Sequence, residues 1–516
     1  MHVEARSCAA VFWPQRTAWV SESLVDFVAI ELDALAEVVP SARVIGSGAV
    51  GVHDVAYDHR TVSPGSVFAC IRGEVADGHD FAGQAVNAGA VALLVERELP
   101  VEVPQLVVDD ARASLGTVAD AVFRAPSAEL TVVGVTGTNG KTTTTFLLHA
   151  ILAAAGRRPG LLGTIERRIG GERWASRLTT AESADIQRDL RAMLDAGDDS
   201  CVMEVSSHAI ELGRLQGVRF DAAVFTNLGS DHLDFHGDEE AYFAAKRRLF
   251  TDLDPDGRRP PAVVNVDDPW GQRLTNELIE LGEQPVTFGR NPAVDVAVRD
   301  LRVDGGGISF ASDGLELESR LRGDFNAQNI LAAVATGRFL GLDDQGIARG
   351  VQHLRGVPGR FETLDLGQPF VVIIDYAHTP EALDNVLRAA RPLTEQSLTC
   401  VFGCGGDRDK GKRAPMGAAA TAHADAVVIT SDNPRSEDPA TIAAEIVEGA
   451  GRGARVELDR AAAIELAFRS AENDDVVVIA GKGHEQGQEV AGRVIPFDDR
   501  EVASHILQRL LAEVSG

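Results

Sequence analysis

The chain has 516 residues, of which 45% are hydrophobic and 24% charged, with a formal net charge of -28. That length allows roughly three domains, each with its own core. The acidity excludes a nonspecific nucleic-acid binder, which needs a basic surface, but it is compatible with a locally positive pocket for an anionic substrate. The cysteines (Cys8, Cys70, Cys201, Cys400, Cys404) are few and scattered, as in a reduced cytoplasmic protein. No signal-peptide core opens the chain, and no run approaches the ~18 apolar residues of a membrane span. A soluble protein without a membrane partner is expected.

Residues 1–25 form an extension of no readable purpose. Short strand-like runs with Pro-Gly and Asp-Gly turns follow, and residues 1–127 read as a small N-terminal α/β domain that includes Asp58-His59-Arg60. The stretch Thr131–Ala155 organises the rest. Val132, Val133 and Val135 read as a buried parallel strand. Gly137-Thr138-Asn139-Gly140-Lys141-Thr142-Thr143 reads as a glycine turn, and Phe146, Leu147, Ile151 and Leu152 as a helix stopped at Gly156. Glycines that let backbone N–H groups face phosphates, a helix N-terminus, a lysine and a hydroxyl able to ligate Mg²⁺ together suit a nucleoside triphosphate. Val135 stands where the regular motif has its first glycine, so the loop is a variant, and a plain strand–helix turn is the competing reading.

Residues 128–355 continue as buried strands alternating with helices, among them 201–205 and 222–227. Ligands gather at the carboxyl ends of such strands, which places Glu204, Ser206, Ser207, His208, Thr226 and Asn227 near the triphosphate. A β-rich stretch at 294–321 and a helix at 326–340 follow. A second α/β series occupies 356–516, with strands at 370–375, 398–403, 426–430 and 476–481. Two wound sheets imply a cleft between them, where a two-substrate reaction fits.

Several strand ends carry chemistry. Asp231-His232-Leu233-Asp234-Phe235-His236-Gly237-Asp238 offers Mg²⁺ ligands, or is a solvated loop. Glu204 closes an apolar strand and needs a partner, since a buried lone acid is costly. Lys246 lies in an amphipathic helix whose Arg247 and Arg248 look like a wet face, and the residues alone favour a solvated lysine. In the last domain, a glycine turn with cations (Gly403 to Arg413), Asp432-Asn433-Pro434-Arg435 and Gly481-Lys482-Gly483-His484-Glu485 all follow strands. A rigid turn holding one arginine suits bidentate recognition of a carboxylate, with an Asx turn and a surface arginine as the alternative.

The ordered set GTNGKTT, MEVSSHA, TNLGSDHLDFHGD, AAK, GDFNAQN, GRFE, DYAHTP, FGCGGDRDKGKR, DNPR and AGKGHE resembles the Mur ligases from about residue 58 to 500. Within that family it is similar to the tripeptide-forming branch that adds meso-diaminopimelate. The resemblance implies three α/β domains: an N-terminal one for the UDP end of the substrate, a central phosphate-loop ATPase with a parallel sheet, and a C-terminal Rossmann-like one for the amino acid. It implies a monomer in which ATP phosphorylates the D-glutamyl γ-carboxylate of UDP-N-acetylmuramoyl-L-Ala-D-Glu for attack by the amine of meso-diaminopimelate, in peptidoglycan synthesis. By the same resemblance Gly137, Thr138, Asn139, Gly140, Lys141, Thr142, Thr143, Asn329, Arg360 and Asp375 bind ATP. Thr142 and Glu204 hold one Mg²⁺, while His232 and Lys246, the latter as a carbamate, serve a second. Lys141, Glu204, His232 and Lys246 are the catalytic set. His59, Thr179, Thr180, Ser206 and Arg214 contact the UDP substrate, and Arg408, Asp432, Asn433, Pro434, Arg435, Gly481 and Glu485 the amino acid. His59, Leu178, Leu212 and Ala181 depart from residues common in the family, which touches the UDP contacts rather than the ATP chemistry. The alternatives are an L-lysine-adding member, a folylpolyglutamate-type ligase, or an ATP-binding regulatory protein.

Overall fold

A computed structural model describes residues 29–73, 76–304 and 306–515. The N-terminal extension, residues 1–25, lies outside the described residues. Three sheets carry the architecture, with five, nine and six strands. In the first, Arg43–Ile45 runs antiparallel to Gln105–Val107, which continues in parallel through Ala92–Val95 and Ser66–Ala69 to Asp54–Ala56.

The second sheet is built around Thr131–Thr136. It is flanked in parallel by Ser200–Glu204 on one side and Ala222–Phe225 on the other, and the sheet extends through Ala262–Asn265 and Val286–Gly289. Alternate residues of the central strand enter two separate cores. Val133 and Val135 pack with Phe146, Leu147 and Ile151 of the following helix, whereas Val132 packs with Ile186 and Leu190 of the helix Ser183–Asp195. Burial on both faces is why these strands read as near-continuous apolar runs instead of alternating ones. The β-rich stretch expected near residues 294–321 is a three-stranded antiparallel sheet, Arg299–Asp304, Gly307–Ser312 and Leu315–Ser319, preceded by the short strand Val296–Ala297.

The third sheet orders Glu362–Leu364, Val371–Asp375, Val476–Ala480, Leu398–Phe402, Ala426–Ile429 and Arg455–Val456, parallel throughout except at its first strand. It too is buried on both faces, Ile373 and Val478 on one side and Val372, Ile374 and Val477 on the other. Every one of its long strands ends in a loop already singled out from the sequence. The two parallel sheets therefore present their carboxyl-end loops as the sites for ligands.

Candidate active site

The glycine turn after Thr131–Thr136 is held from the neighbouring strand end. Thr226 Oγ1 donates to Asn139 O at 2.6 Å, Asn227 Oδ1 accepts from Asn139 N at 2.8 Å, and Thr138 N donates to Asn227 O at 2.9 Å. Gly137 has φ 149° and Gly140 φ 86°, and a β-carbon at Gly137 would collide with Thr226 Oγ1. The close-approach glycine is thus Gly137, and Val135 can remain a buried strand residue. The helix Lys141–Ala154 begins at Gly140 with no side-chain cap, so its first N–H groups are free to meet an anion. Asn329, on the helix Phe325–Phe339, sets its Oδ1 against Gly140.

Glu204 is 1% exposed, and its partners are two hydroxyls and a backbone N–H. Thr142 Oγ1 donates to Oε2 at 3.0 Å, Thr164 Oγ1 to Oε2 at 3.0 Å, and Thr164 N to Oε1 at 2.8 Å. A carboxylate and a threonine oxygen this close form the oxygen-rich corner that Mg²⁺ prefers.

Two amines converge beside it. Lys141 Nζ donates to Gly137 O at 2.8 Å and to Thr138 O at 2.9 Å, while Lys246 Nζ donates to the same Gly137 O at 2.9 Å. Lys246 is 1% exposed, overturning the solvated-lysine reading of the residues alone. Burial and the Lys141 charge hold its amine well below the usual lysine range. Burial likewise lowers Lys141, against the raising influence of Glu204 and Asp231. Arg247 and Arg248 do stay at the surface, paired with Glu277, Glu211 and Asp252. The ring of Tyr242 lies 4.4 Å from Lys246 Nζ and 6.1 Å from the His232 ring. His232 is in the left-handed region at φ 56°, half-exposed, with Asp231 Oδ2 3.4 Å from Nε2. Of the other acids in that loop, Asp238 is a helix cap that accepts from Ala241 N at 2.8 Å. Among the described residues no three of His, Cys, Asp and Glu cluster as a metal site. A second cation here would need an added oxygen donor, and an ammonium cannot provide one.

The C-terminal unit reaches this corner directly. Arg360 Nη2 donates to Thr142 Oγ1 at 3.3 Å and its guanidinium lies 4.4 Å from the Tyr376 ring centre. His378 Nε2 stands 3.8 Å from Asp231 Oδ2. Asp375 is taken up by backbone N–H groups of its own unit, accepting from Phe361 N at 2.6 Å and Ala377 N at 2.7 Å, and burial raises its pKa.

The three loops of the C-terminal sheet meet. Arg435 Nη1 donates to Gly406 O at 2.7 Å, Asn433 Nδ2 to Glu485 Oε2 at 2.8 Å, and Lys482 Nζ to Asn433 Oδ1 at 3.1 Å. Asp432 Oδ2 crowds Gly481, which has φ 113° and no room for a β-carbon, and Pro434 is buried beneath Gly406. Arg408 is exposed on the same loop and its charge reaches His208 of the central unit.

Family models match most of this architecture. The Mur ligase middle domain matches residues 135–337, the Mur ligase glutamate ligase domain 359–483, and the Mur ligase family catalytic domain 51–138. The chain belongs to the Mur ligase family. A protein of Geobacillus thermodenitrificans named UDP-N-acetylmuramoyl-L-alanyl-D-glutamate--2,6-diaminopimelate ligase is 44% identical over 484 residues, covering 92% of this chain and 98% of its own. One of the same name from Streptomyces avermitilis is 45% identical over 477 residues, covering 89% and 93%. A solved structure of a ligase bearing that name shares 31% identity with a TM-score of 0.65, over 94% of this chain and 99% of that one.

In this Mur ligase the residues expected at the UDP substrate divide into two places. Thr179, Thr180, Ser206 and Arg214 are together: Thr179 Oγ1 is 3.1 Å from Thr164 Oγ1, Ser206 N donates to Thr180 Oγ1 at 3.0 Å, and Arg214 Nη1 to Thr180 O at 3.2 Å. Thr180 also donates to Glu204 O at 2.9 Å, so its hydroxyl is already engaged. His59 is on the N-terminal unit, stacked on Phe81 with centroids 4.7 Å apart. Two supporting residues, Thr164 and Glu182, are given no role by the sequence reading, and a third, Lys482, is read only as part of its loop. Thr164 follows the strand Pro159–Leu162, and the strand-end rule would have found it. Glu182 links Arg112 at 3.2 Å to Arg214 at 2.9 Å. Lys482, fully buried, is tied to Glu485 at 2.9 Å.

Proposed function

We propose that the chain is a cytoplasmic, ATP-dependent amide ligase, acting as a monomer, that joins meso-diaminopimelate to UDP-N-acetylmuramoyl-L-alanyl-D-glutamate for peptidoglycan synthesis. The observation that carries this reading is the contact of Arg360 with Thr142, which sets the C-terminal unit against the phosphate loop. The names of the relatives at 44% and 45% identity support the choice of substrates. In domain terms, residues 1–127 hold the UDP end, 128–355 the ATP, and 356–516 the amino acid.

The glycine turn Gly137 to Thr143 wraps the triphosphate, with Asn329, Arg360 and Asp375 completing the nucleotide site. Lys141, now folded back on Gly137 O and Thr138 O, is the side chain free to turn to the outer phosphates. Thr142 and Glu204 would hold one Mg²⁺, and His232 with a carbamate on Lys246 a second; bound there, the metal would neutralise the charge of the phosphates and of the acid they meet. Lys246 in that form contributes an anionic oxygen from a cation's position. Thr179, Thr180, Ser206 and Arg214, with His59 on the far module, orient the nucleotide-linked dipeptide.

A carboxylate is a poor electrophile. Its γ-oxygen attacks the terminal phosphorus of ATP, ADP leaves, and the acyl phosphate gains a good leaving group. The amine then attacks the carbonyl carbon, and the tetrahedral adduct expels phosphate to leave the amide. Positioning and charge neutralisation supply most of the acceleration. Arg408, Asp432, Asn433, Pro434, Arg435, Gly481 and Glu485 shape the amine pocket, and Arg435 pairs with the carboxylate at the far end of diaminopimelate. L-Lysine has no such carboxylate.

Purified protein with ATP, Mg²⁺ and the UDP-dipeptide should therefore form the tripeptide with meso-diaminopimelate at least about tenfold faster than with L-lysine, the worth of one well-made charged contact. Equal rates, read by mass spectrometry of the product, would refute the specificity.

A further inference from the structure

We infer that the Arg435–Glu489 ion pair reads a zwitterionic end group, with Glu489 as a specificity-determining residue that takes the distal ammonium of the incoming diamino acid. This deepens the reading of the chain as a diaminopimelate-adding ligase and rests on it.

Glu489 sits on the strand Gly487–Val490, which pairs with Arg493–Pro496 in a two-stranded hairpin. Backbone bonds stitch that hairpin to the Asp432–Arg435 turn. Arg435 N donates to Glu489 O at 2.9 Å, Ala491 N to Arg435 O at 2.7 Å, and Glu489 N to Asn433 Oδ1 at 2.9 Å. Gln488 Nε2 adds a bond to Asp432 O at 2.7 Å. The two side chains consequently rise side by side, with Arg435 Nε 3.2 Å from Glu489 Oε2. Arg435 holds the left-handed φ of 51°, so the turn itself aims the guanidinium. The pair is accessible, with 24% of the arginine and 42% of the glutamate side chain exposed.

The nearby acids differ in what answers their charge. Glu485 Oε2 receives Lys482 Nζ at 2.9 Å and Asn433 Nδ2 at 2.8 Å. Lys482 is 0% exposed, so that compensation persists whatever enters the pocket. Among the described residues the cation paired with Glu489 is Arg435. A ligand carboxylate that takes Arg435 therefore strips Glu489 of its counter-charge. An ammonium on the same ligand carbon replaces it. One internal pair then opens into two intermolecular pairs, and no charge is left unmet. A ligand with an ammonium but no carboxylate strands Arg435. A ligand with a carboxylate but no ammonium strands Glu489. Discrimination by the stranded partner is how a site rejects an analogue that lacks one group.

The test compares meso-diaminopimelate with 2-aminopimelate, which keeps both carboxylates and lacks the distal amine. KM and kcat for each are measured in the wild type, Glu489→Gln and Glu489→Asp. The wild type should prefer the diamino acid in kcat/KM. Glu489→Gln should shrink that preference about fivefold, through KM for the diamino acid, as suits a half-exposed ion pair. Glu489→Asp should keep most of the preference. A preference unchanged in Glu489→Gln would overturn the assignment while leaving the ligase reading intact. A wild type that joined neither compound to the UDP-dipeptide would overturn both.

Discussion

Lys246 shows how much one side chain can hide. On the helix Glu239–Thr251, Tyr242, Lys246, Leu249 and Phe250 recur at the spacing of a single face, and all are buried. That register was readable in the sequence. A lysine on an apolar stripe, however, carries no mark of what it meets, and the likeness to a family pointed there more clearly than the helical period. Replacing it by alanine should lower kcat by at least about a hundredfold, the scale of losing one group that stabilises charge at the reacting centre. Added short carboxylic acids should restore part of the activity by refilling the oxygen position. Full turnover without Lys246 would remove it from the site. His149 offers a second test at this scale. Burial, with the charges of Arg168 and Arg173, pushes its imidazole down from 6.5 to about 3. The unfolded chain binds a proton there below about 6.5 while the folded chain refuses it, so stability falls as the pH drops through that window. The loss is roughly 1 kcal/mol per pH unit at most, because the ring is not wholly enclosed. His149→Gln should lose less thermal stability than the wild type between neutral pH and about pH 5.

Elements were the most legible level. The apolar run at 131–136, the glycine turn and the helix behind it obey local rules, and the structure returns them within a residue or two. Four strands of the last sheet were equally plain, since burial on both faces leaves near-continuous apolar runs, whereas the short edge strands Glu362–Leu364 and Arg455–Val456 were not read. What no local rule could give is the side-chain network that ties one element to another. Arg460 and Asp499 are the clearest case. Both are fully buried, with Nε–Oδ1 and Nη2–Oδ2 each 2.7 Å, and Arg460 also donates to Ala480 O at 3.0 Å. This bidentate pair fastens the start of the last helix, Asp499–Ser515, to the end of the strand Val476–Ala480. Arg460→Met leaves a carboxylate buried without its cation and should cost about 3–5 kcal/mol in urea unfolding. The double variant Arg460→Met/Asp499→Leu should recover much of that loss, because removing both charges removes the stranded one. A double variant no better than the single one would show that the pair acts by shape instead of charge.

At the scale of the whole molecule, the sequence announced two wound sheets and a cleft, but not how closely their loops approach. The interlock of Arg360 with Thr142, His378 with Asp231 and Glu381 with Gly229 joins segments more than a hundred residues apart, beyond the reach of any local pattern. It sets the turn at Arg360 and the loop after Val371–Asp375 against the phosphate loop and the Asp231 loop, and the proposed acyl transfer depends on that approach. The chemistry leaves a trace that can be followed atom by atom. If the γ-carboxylate of the UDP-dipeptide is labelled with heavy oxygen and turned over with ATP, Mg²⁺ and meso-diaminopimelate, the oxygen that attacks phosphorus must depart with the phosphate. The account predicts that each phosphate released carries a single heavy atom from the acid. Unlabelled phosphate, with tripeptide still formed, would contradict it.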